Sequence, residues 1–190
     1  MIKRLALLFL MFVMVFCSAY KKPDKYVIRA EKDAYYHNNV GLNYLKDRIY
    51  YAAIQEFKIA ISLSPSTQAS SIFYDNLGKT YNFIGYPDFA LPCFEDAIKL
   101  YGLNLKYYFD LAETYKLLNL VDAKIKTFSA SDDVYDRIKL GILYIENNEL
   151  RKGVNILDEF CIQEPDLIIT PAIRQYLKEV TSKIEVETNE

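Results

Sequence analysis

Few residues in this 190-residue chain have the types and spacing that chemistry needs. A single histidine, His37, and three scattered cysteines, Cys17, Cys93 and Cys161, do not form the close sets that nucleophilic catalysis or a metal site requires. No HExxH or GxxxxGK[ST] motif occurs, and no glycine-rich loop is present to cradle a phosphate. The acidic residues Asp132-Asp133 and Glu146 to Glu149 read as helix caps and a solvated turn, not as an acid pair. The expectation is a chain with no catalytic residue, no metal and no cofactor, and so not an enzyme.

Cys17 is the one cysteine with a chemical context of its own. It closes a stretch with a short basic start (Lys3, Arg4) and an uncharged apolar run from Leu5 to Phe16, followed by Ser18-Ala19. That run is shorter than the roughly 20 residues that span a bilayer comfortably, and the small residue at Ala19 suits a signal peptidase. Residues 1–19 are therefore read as an export signal cleaved after Ala19. Lipidation at Cys17 and an uncleaved membrane anchor remain open, although Met14-Val15-Phe16 fits lipoprotein processing poorly. Each outcome places the rest of the chain outside the cytoplasm, periplasmic or attached to a membrane. Loss of Lys3 and Arg4 without any acid moves the formal charge from −2 to −4, which excludes the basic footprint that nucleic acid demands. Cys93 and Cys161 are too few for a disulfide framework and read as buried thiols.

The elements that remain follow a period. Val40-Gly41-x-x-Tyr44 is followed by Ala53, Phe57, Ala60 and Pro65. Leu77-Gly78-x-x-Tyr81 is followed by Ala90, Phe94 and Ala97, and Leu140-Gly141-x-x-Tyr144 by Gly153, Leu157 and Pro165. Leu111-Ala112-x-x-Tyr115 gives the series in part. The aligned set resembles the tetratricopeptide repeat, a helix-turn-helix unit of about 34 residues. That resemblance implies an all-α fold: a right-handed α-α superhelix of about four repeats closed by a C-terminal capping helix. The implied boundaries are a linker at 20–33, units at 34–67, 71–104, 105–133 and 134–167, a capping helix at 168–184 and an acidic tail at 185–190. The small residue falls at position 8 of each unit (Gly41, Gly78, Ala112, Gly141), where helix A must lie close to helix B. Position 15, the turn between them, holds Arg48, Gly85, Asn119 and Asn148. Three of these are types that tolerate a left-handed backbone. Position 4 places His37 in a packing role.

The pattern breaks in the third unit. Position-8 residues are 37 residues apart from Gly41 to Gly78 and 34 to Ala112, but only 29 to Gly141. Its helix B, about Val121 to Ser129, keeps Ala123 but has Thr127 where Phe57 and Phe94 stand, so an altered packing of units three and four is expected. The loop leading into the second unit, Ser64 to Ser70, is slightly long. Thr170-Pro171 then starts a helix whose stripe of Ile173, Tyr176, Leu177, Val180 and Ile184 suits a solenoid cap.

In such arrays the first helices line a concave groove that receives a partner segment, mainly through positions 2, 5, 9, 12 and 13. The resemblance carries this role to Tyr35, Asn38, Leu42 and Leu45, to Ile72, Asp75, Lys79, Asn82 and Phe83, to Lys106, Phe109, Glu113 and Lys116, and to Tyr135, Ile138, Ile142 and Ile145. The groove set put forward is Tyr35, Asn38, Leu42, Lys79, Asn82, Phe83, Lys106, Phe109, Glu113 and Lys116. The three isoleucines can equally be covered by the C-terminal helix, and Phe83 and Phe109 by a neighbouring one. Only Asn76 and Lys106 are similar to the clamp that holds a free carboxylate in one subclass, so that ligand is not expected. The implied function is an extracytoplasmic adaptor for a protein or peptide partner, in envelope, secretion or pilus assembly. The alternative is a structural subunit that associates through its convex face or ends, with Tyr50-Tyr51 and Tyr107-Tyr108 as candidate faces.

Overall fold

The structure is a computed structural model that describes residues 33–188, with side chains described as far as Ser182. The leader, Cys17 and the linker lie outside the described residues. Nine helices and no strand occur among those that are described: α1 (Ala34–Lys46), α2 (Tyr50–Leu63), α3 (Gln68–Phe83), α4 (Pro87–Leu100), α5 (Leu105–Leu117), α6 (Val121–Ser129), α7 (Val134–Glu146), α8 (Leu150–Gln163) and α9 (Thr170–Thr188).

The two kinds of helix start differently. Helices α1, α3, α5 and α7 are capped by the side chains of Asp33, Thr67, Asn104 and Asp133, each accepting a backbone N–H of the first turn. Thr67 and Ser70 form a reciprocal capping box that starts α3 at Gln68, so the long loop expected here already contains the first turn of helix. Helices α2, α4, α6 and α8 have no side-chain cap and issue from a tight reversal. In all four reversals the residue at position 15 is left-handed: Arg48 at φ 60°, Gly85 at 79°, Asn119 at 56° and Asn148 at 61°. The following N–H returns in each case to the carbonyl of the position-11 tyrosine, from Ile49 to Tyr44, Tyr86 to Tyr81, Leu120 to Tyr115 and Glu149 to Tyr144, at 2.8–2.9 Å. These bonds satisfy helix-end carbonyls and turn the chain back on itself within two residues.

Helix pairs α1·α2, α3·α4 and α7·α8 pack antiparallel, and α2·α3 and α4·α5 join them into an array. A Cβ on Gly41 would stand 2.6 Å from the Phe57 ring, one on Gly78 2.8 Å from Phe94, and one on Gly141 2.5 Å from Leu157. The missing side chain is thus the slot that the ring or leucine of the second helix fills. The three large residues are fully buried, each burial contributing about 1.5–3 kcal/mol. The first helices α1, α3, α5 and α7 touch one another in sequence, whereas the second helices make no comparable contact with each other. The first helices therefore line the inner side of the curve.

The third unit departs from this rule. Ala123 and Thr127 are exposed, and Phe128, one position further on, is the buried anchor, its ring 6.1 Å from that of Tyr115. Lacking a ring at Thr127, α6 makes little contact with its own partner α5 and leans on α7, while α5 packs directly against α7. A cleft of about 620 Å³ opens beside it, with Tyr115, Lys124, Phe128, Tyr135 and Lys139 among its walls.

At the C-terminal end α9 lies on α8, with Ile173, Leu177 and Val180 buried in the core shared with Ile138, Ile142 and Ile145. The three isoleucines are thus covered by the protein itself. Helix α9 continues to Thr188, into the segment read as an acidic tail, because no glycine or proline comes after Pro171 to break it.

The reversals and the glycine slots can each be tested by substitution. Arg48→Gly removes the strain of a Cβ in a left-handed backbone and is expected to raise unfolding stability by about 1 kcal/mol, whereas Gly85→Ala should lower it by a similar amount. A Cβ at Gly153 would meet the Gly141 carbonyl oxygen at 2.5 Å and the Ile145 nitrogen at 2.9 Å, which are backbone atoms. Gly153→Ala should therefore cost about 2 kcal/mol in urea denaturation, although alanine favours helix everywhere else.

Candidate functional site

The inner face carries a ladder of polar links between successive first helices. Asn76 Nδ2 donates to Asn38 Oδ1 at 2.9 Å, joining α1 to α3. Asn82 Nδ2 donates to Thr114 Oγ1 at 2.9 Å, joining α3 to α5, and the Thr114 hydroxyl itself donates to the Asp110 carbonyl at 2.7 Å. That donation fixes the Asn82 amide, since the threonine oxygen then acts as acceptor, and it leaves Asn82 Oδ1 buried with no hydrogen-bond partner. Lys116 Nζ donates to the Glu146 carbonyl at 2.9 Å, placing a cation on the C-terminal end of α7, where the helix dipole favours it.

Between these links sits a charged cluster. Lys79 hydrogen-bonds Asp75 one turn earlier on α3 and lies 3.3 Å from Asp110 Oδ2 on α5. Asp75 is only 5% exposed. Burial, reinforced by the neighbouring Asp110 carboxyl and opposed by Lys79, pushes its pKa up to about 6. Burial works against the Lys79 ammonium, but its bond to Asp75 and the nearby carboxylates hold its pKa above the usual lysine range. Lys106, beside Lys79 at the mouth, is lowered by that like charge and by partial burial. Asp75 Oδ1 and Asp110 Oδ2 have no hydrogen-bond donor. A proton on Asp75 would supply one, binding the two carboxyls across α3 and α5.

Next to the cluster the inner face forms a recess of about 450 Å³. It brings together Lys79, Asn82, Phe83, Lys106 and Glu113 from the groove set, and adds Asp110 and Leu117. Leu117 stands at position 13, a groove position by the same register, and was findable on that ground. Asp110 stands at position 6, outside the groove positions, and no sequence signal singles it out. Phe83 is 70% exposed and Leu117 51%, so the recess has a polar floor and an apolar edge.

The other groove residues lie elsewhere. Tyr35 and Leu42 are exposed on α1, with Tyr35 edge-on to Phe73 at 5.6 Å. Asn38 is buried by its link to Asn76 and presents no free surface. Phe109 is packed 4.8 Å from the ring of Tyr176, so α9 covers the inner face at this point of the third unit. Lys116 is turned to Glu146. His37 is buried, its Nδ1 2.7 Å from Glu56 Oε2, which makes it a link between α1 and α2. Tyr107 and Tyr108 are also buried, with hydroxyls bonded to Ser71 and the Gly102 carbonyl, and so form no outer face. Cys93 and Cys161 are separate buried thiols, and burial pushes Cys93 up to about 12.

These pairs, their left-handed reversals and the glycine slots at position 8 define the protein as an α-helical repeat solenoid, the fold that the resemblance to tetratricopeptide repeats implies. No family model matches the sequence, and no curated protein matches it. Among solved structures the chain is similar to YrrB, described as a tetratricopeptide protein with an unusual peptide-binding site, at 18% identity and a TM-score of 0.45 over 75% of this chain and 74% of that one. It is also similar to the MamA protein, at 19% identity and a TM-score of 0.47 over 82% and 94% of the two chains. A third is pilF of Pseudomonas aeruginosa, at 13% identity and 0.48 over 77% and 68%.

The Asp75 carboxyl makes stability depend on pH. Its folded pKa lies above the unfolded value, so the native state holds the extra proton. The associated stability is full below about pH 4 and is lost as pH rises through about 6. Asp75→Asn keeps a donor for Asp110 at every pH. The variant should therefore gain about 2 kcal/mol on wild type between pH 4 and pH 7 in denaturation curves taken at both values.

Proposed function

We propose that this protein is a non-catalytic adaptor acting outside the cytoplasm, which holds a segment of another envelope protein against the inner face of its repeats. The recess at Asn82, Phe83, Asp110 and Leu117 carries the reading, because it combines exposed apolar side chains with fixed, buried polar atoms on one rigid wall. The basic start, apolar run and Ala19 of the leader support export, and the assembly of envelope, secretion or pilus machinery is the class of work such an adaptor serves. A photo-reactive residue at position 83 or 117, expressed in the native envelope, should crosslink one partner that a probe at the exposed Ile162 does not reach. Equal capture from all three positions would sink the groove assignment. Mass measurement of the mature chain decides between a start at Tyr20 and a lipidated Cys17.

A second reading rests on the aromatic edge formed by the reversals. Tyr51, Tyr86 and Phe89 are exposed at the turn end of the first two units, with Phe89 6.2 Å from Tyr86. Such a cluster suits packing against a second protein surface. Self-association through this edge should disappear in Tyr51→Ser/Phe89→Ser by sedimentation. A wild-type protein that is monomeric throughout would exclude it.

A further inference from the structure

We propose that the recess on the inner face selects a peptide segment in which an arginine or lysine side chain lies beside an apolar one. The inference rests on the groove reading above and adds the chemistry of the occupant. Every atom of the buried floor left without any hydrogen-bond partner is an acceptor. Asn82 Oδ1 is locked outward from Thr114, Asp110 Oδ2 lies against Lys79 without a hydrogen bond, and Asp75 Oδ1 behind them has no donor although its side chain is only 7% exposed. Buried acceptors left unfilled are costly, and an occupant that brings N–H groups relieves the cost.

Charge points the same way. Asp75, Asp110 and Glu113 set three carboxylates against the two ammonium groups of Lys79 and Lys106, and Lys79 is already engaged with the two aspartates. A guanidinium supplies several N–H donors in one plane, and Asn82 and Asp110 both line the recess. Phe83 and Leu117 at the edge then take the neighbouring apolar side chain. A carboxylate occupant would meet acceptors and the Asp110 charge.

Fluorescence anisotropy with end-capped twelve-residue peptides tests this, using a central Arg-Leu, Gln-Leu, Glu-Leu or Arg-Ser pair in an otherwise identical Gly/Ser frame. The Arg-Leu peptide should bind at least about tenfold more tightly than the other three. Asp110→Asn and Asn82→Leu should each reduce that preference over Gln-Leu roughly tenfold while circular dichroism stays native. Lys106→Gln, which removes a cation from the mouth, should tighten Arg-Leu binding. Equal binding of Gln-Leu and Arg-Leu, or a preference unmoved by Asp110→Asn and Asn82→Leu, would overturn the inference while leaving the groove reading intact. No binding of any peptide at millimolar concentration would overturn it too, and the crosslinks at 83 and 117 then decide whether the groove reading falls with it.

Discussion

The close crossing of two helices at a residue without a side chain is the constraint on which the rest of this molecule depends. At Gly41 and Gly78 the facing phenylalanine occupies the volume that a Cβ would take. Such a ring makes many small dispersion contacts that a wider crossing would forfeit. The fourth unit reaches the same result differently, with Gly141 facing Gly153 and Leu157 filling the slot. Once the crossing is fixed, the reversal between the helices has little freedom. A left-handed residue at position 15 and a bond back to the tyrosine carbonyl complete it in every unit, even where the residue is Arg48.

In the third unit the crossing is lost, and its neighbours rearrange. Ala112 retains the small surface on α5, but Thr127 offers no ring, and its hydroxyl instead donates to the Ala123 carbonyl within its own helix. Helix α6 is therefore free to settle on α7, anchored by Phe128, and α5 moves into direct contact with α7. The inner face closes at this end, where Tyr176 of α9 reaches Phe109. The inner face is thus covered by α9 from Phe109 of the third unit onward.

Much of this was legible in the residues. Glycine at position 8, the large residue that fills its slot (Phe57, Phe94 or Leu157) and Asn or Gly at position 15 are local requirements, each imposed by sterics within one unit, so their spacing carries the architecture. The third unit was legible as an irregularity but not as a rearrangement. Ala123 matches the family register, and only the packing of α6 against the wrong neighbour shows it facing solvent. The site was half legible for the same reason. A register can place Lys79, Asn82 and Glu113 on the inner face, but it cannot say which neighbour takes each side chain. Asn38 and Lys116 sit in groove positions and are consumed by Asn76 and Glu146, bonds that span 38 and 30 residues. Tyr107-Tyr108 read as a surface pair, whereas both hydroxyls are bonded internally and the rings are core.

The polar ladder on the inner face poses an energetic question whose answer bears on function. Apolar side chains could hold α3 against α5 as well, since burying a carboxylate beside another and offsetting both with one lysine returns little net stability. Asp75, Asp110 and Lys79 do that, and the raised pKa of Asp75 is the measure of its cost. The cluster sits where the inner face is open and is absent where α9 covers it, the covered part being lined by Ile138, Ile142 and Ile145. On the inner face the charged cluster thus stands in the uncovered stretch of wall, whereas a buried carboxylate elsewhere, Glu56, lies between α1 and α2 beside His37. Stability alone would favour the isoleucine solution along the whole face, so the charged cluster of the second and third units is kept at a cost in stability.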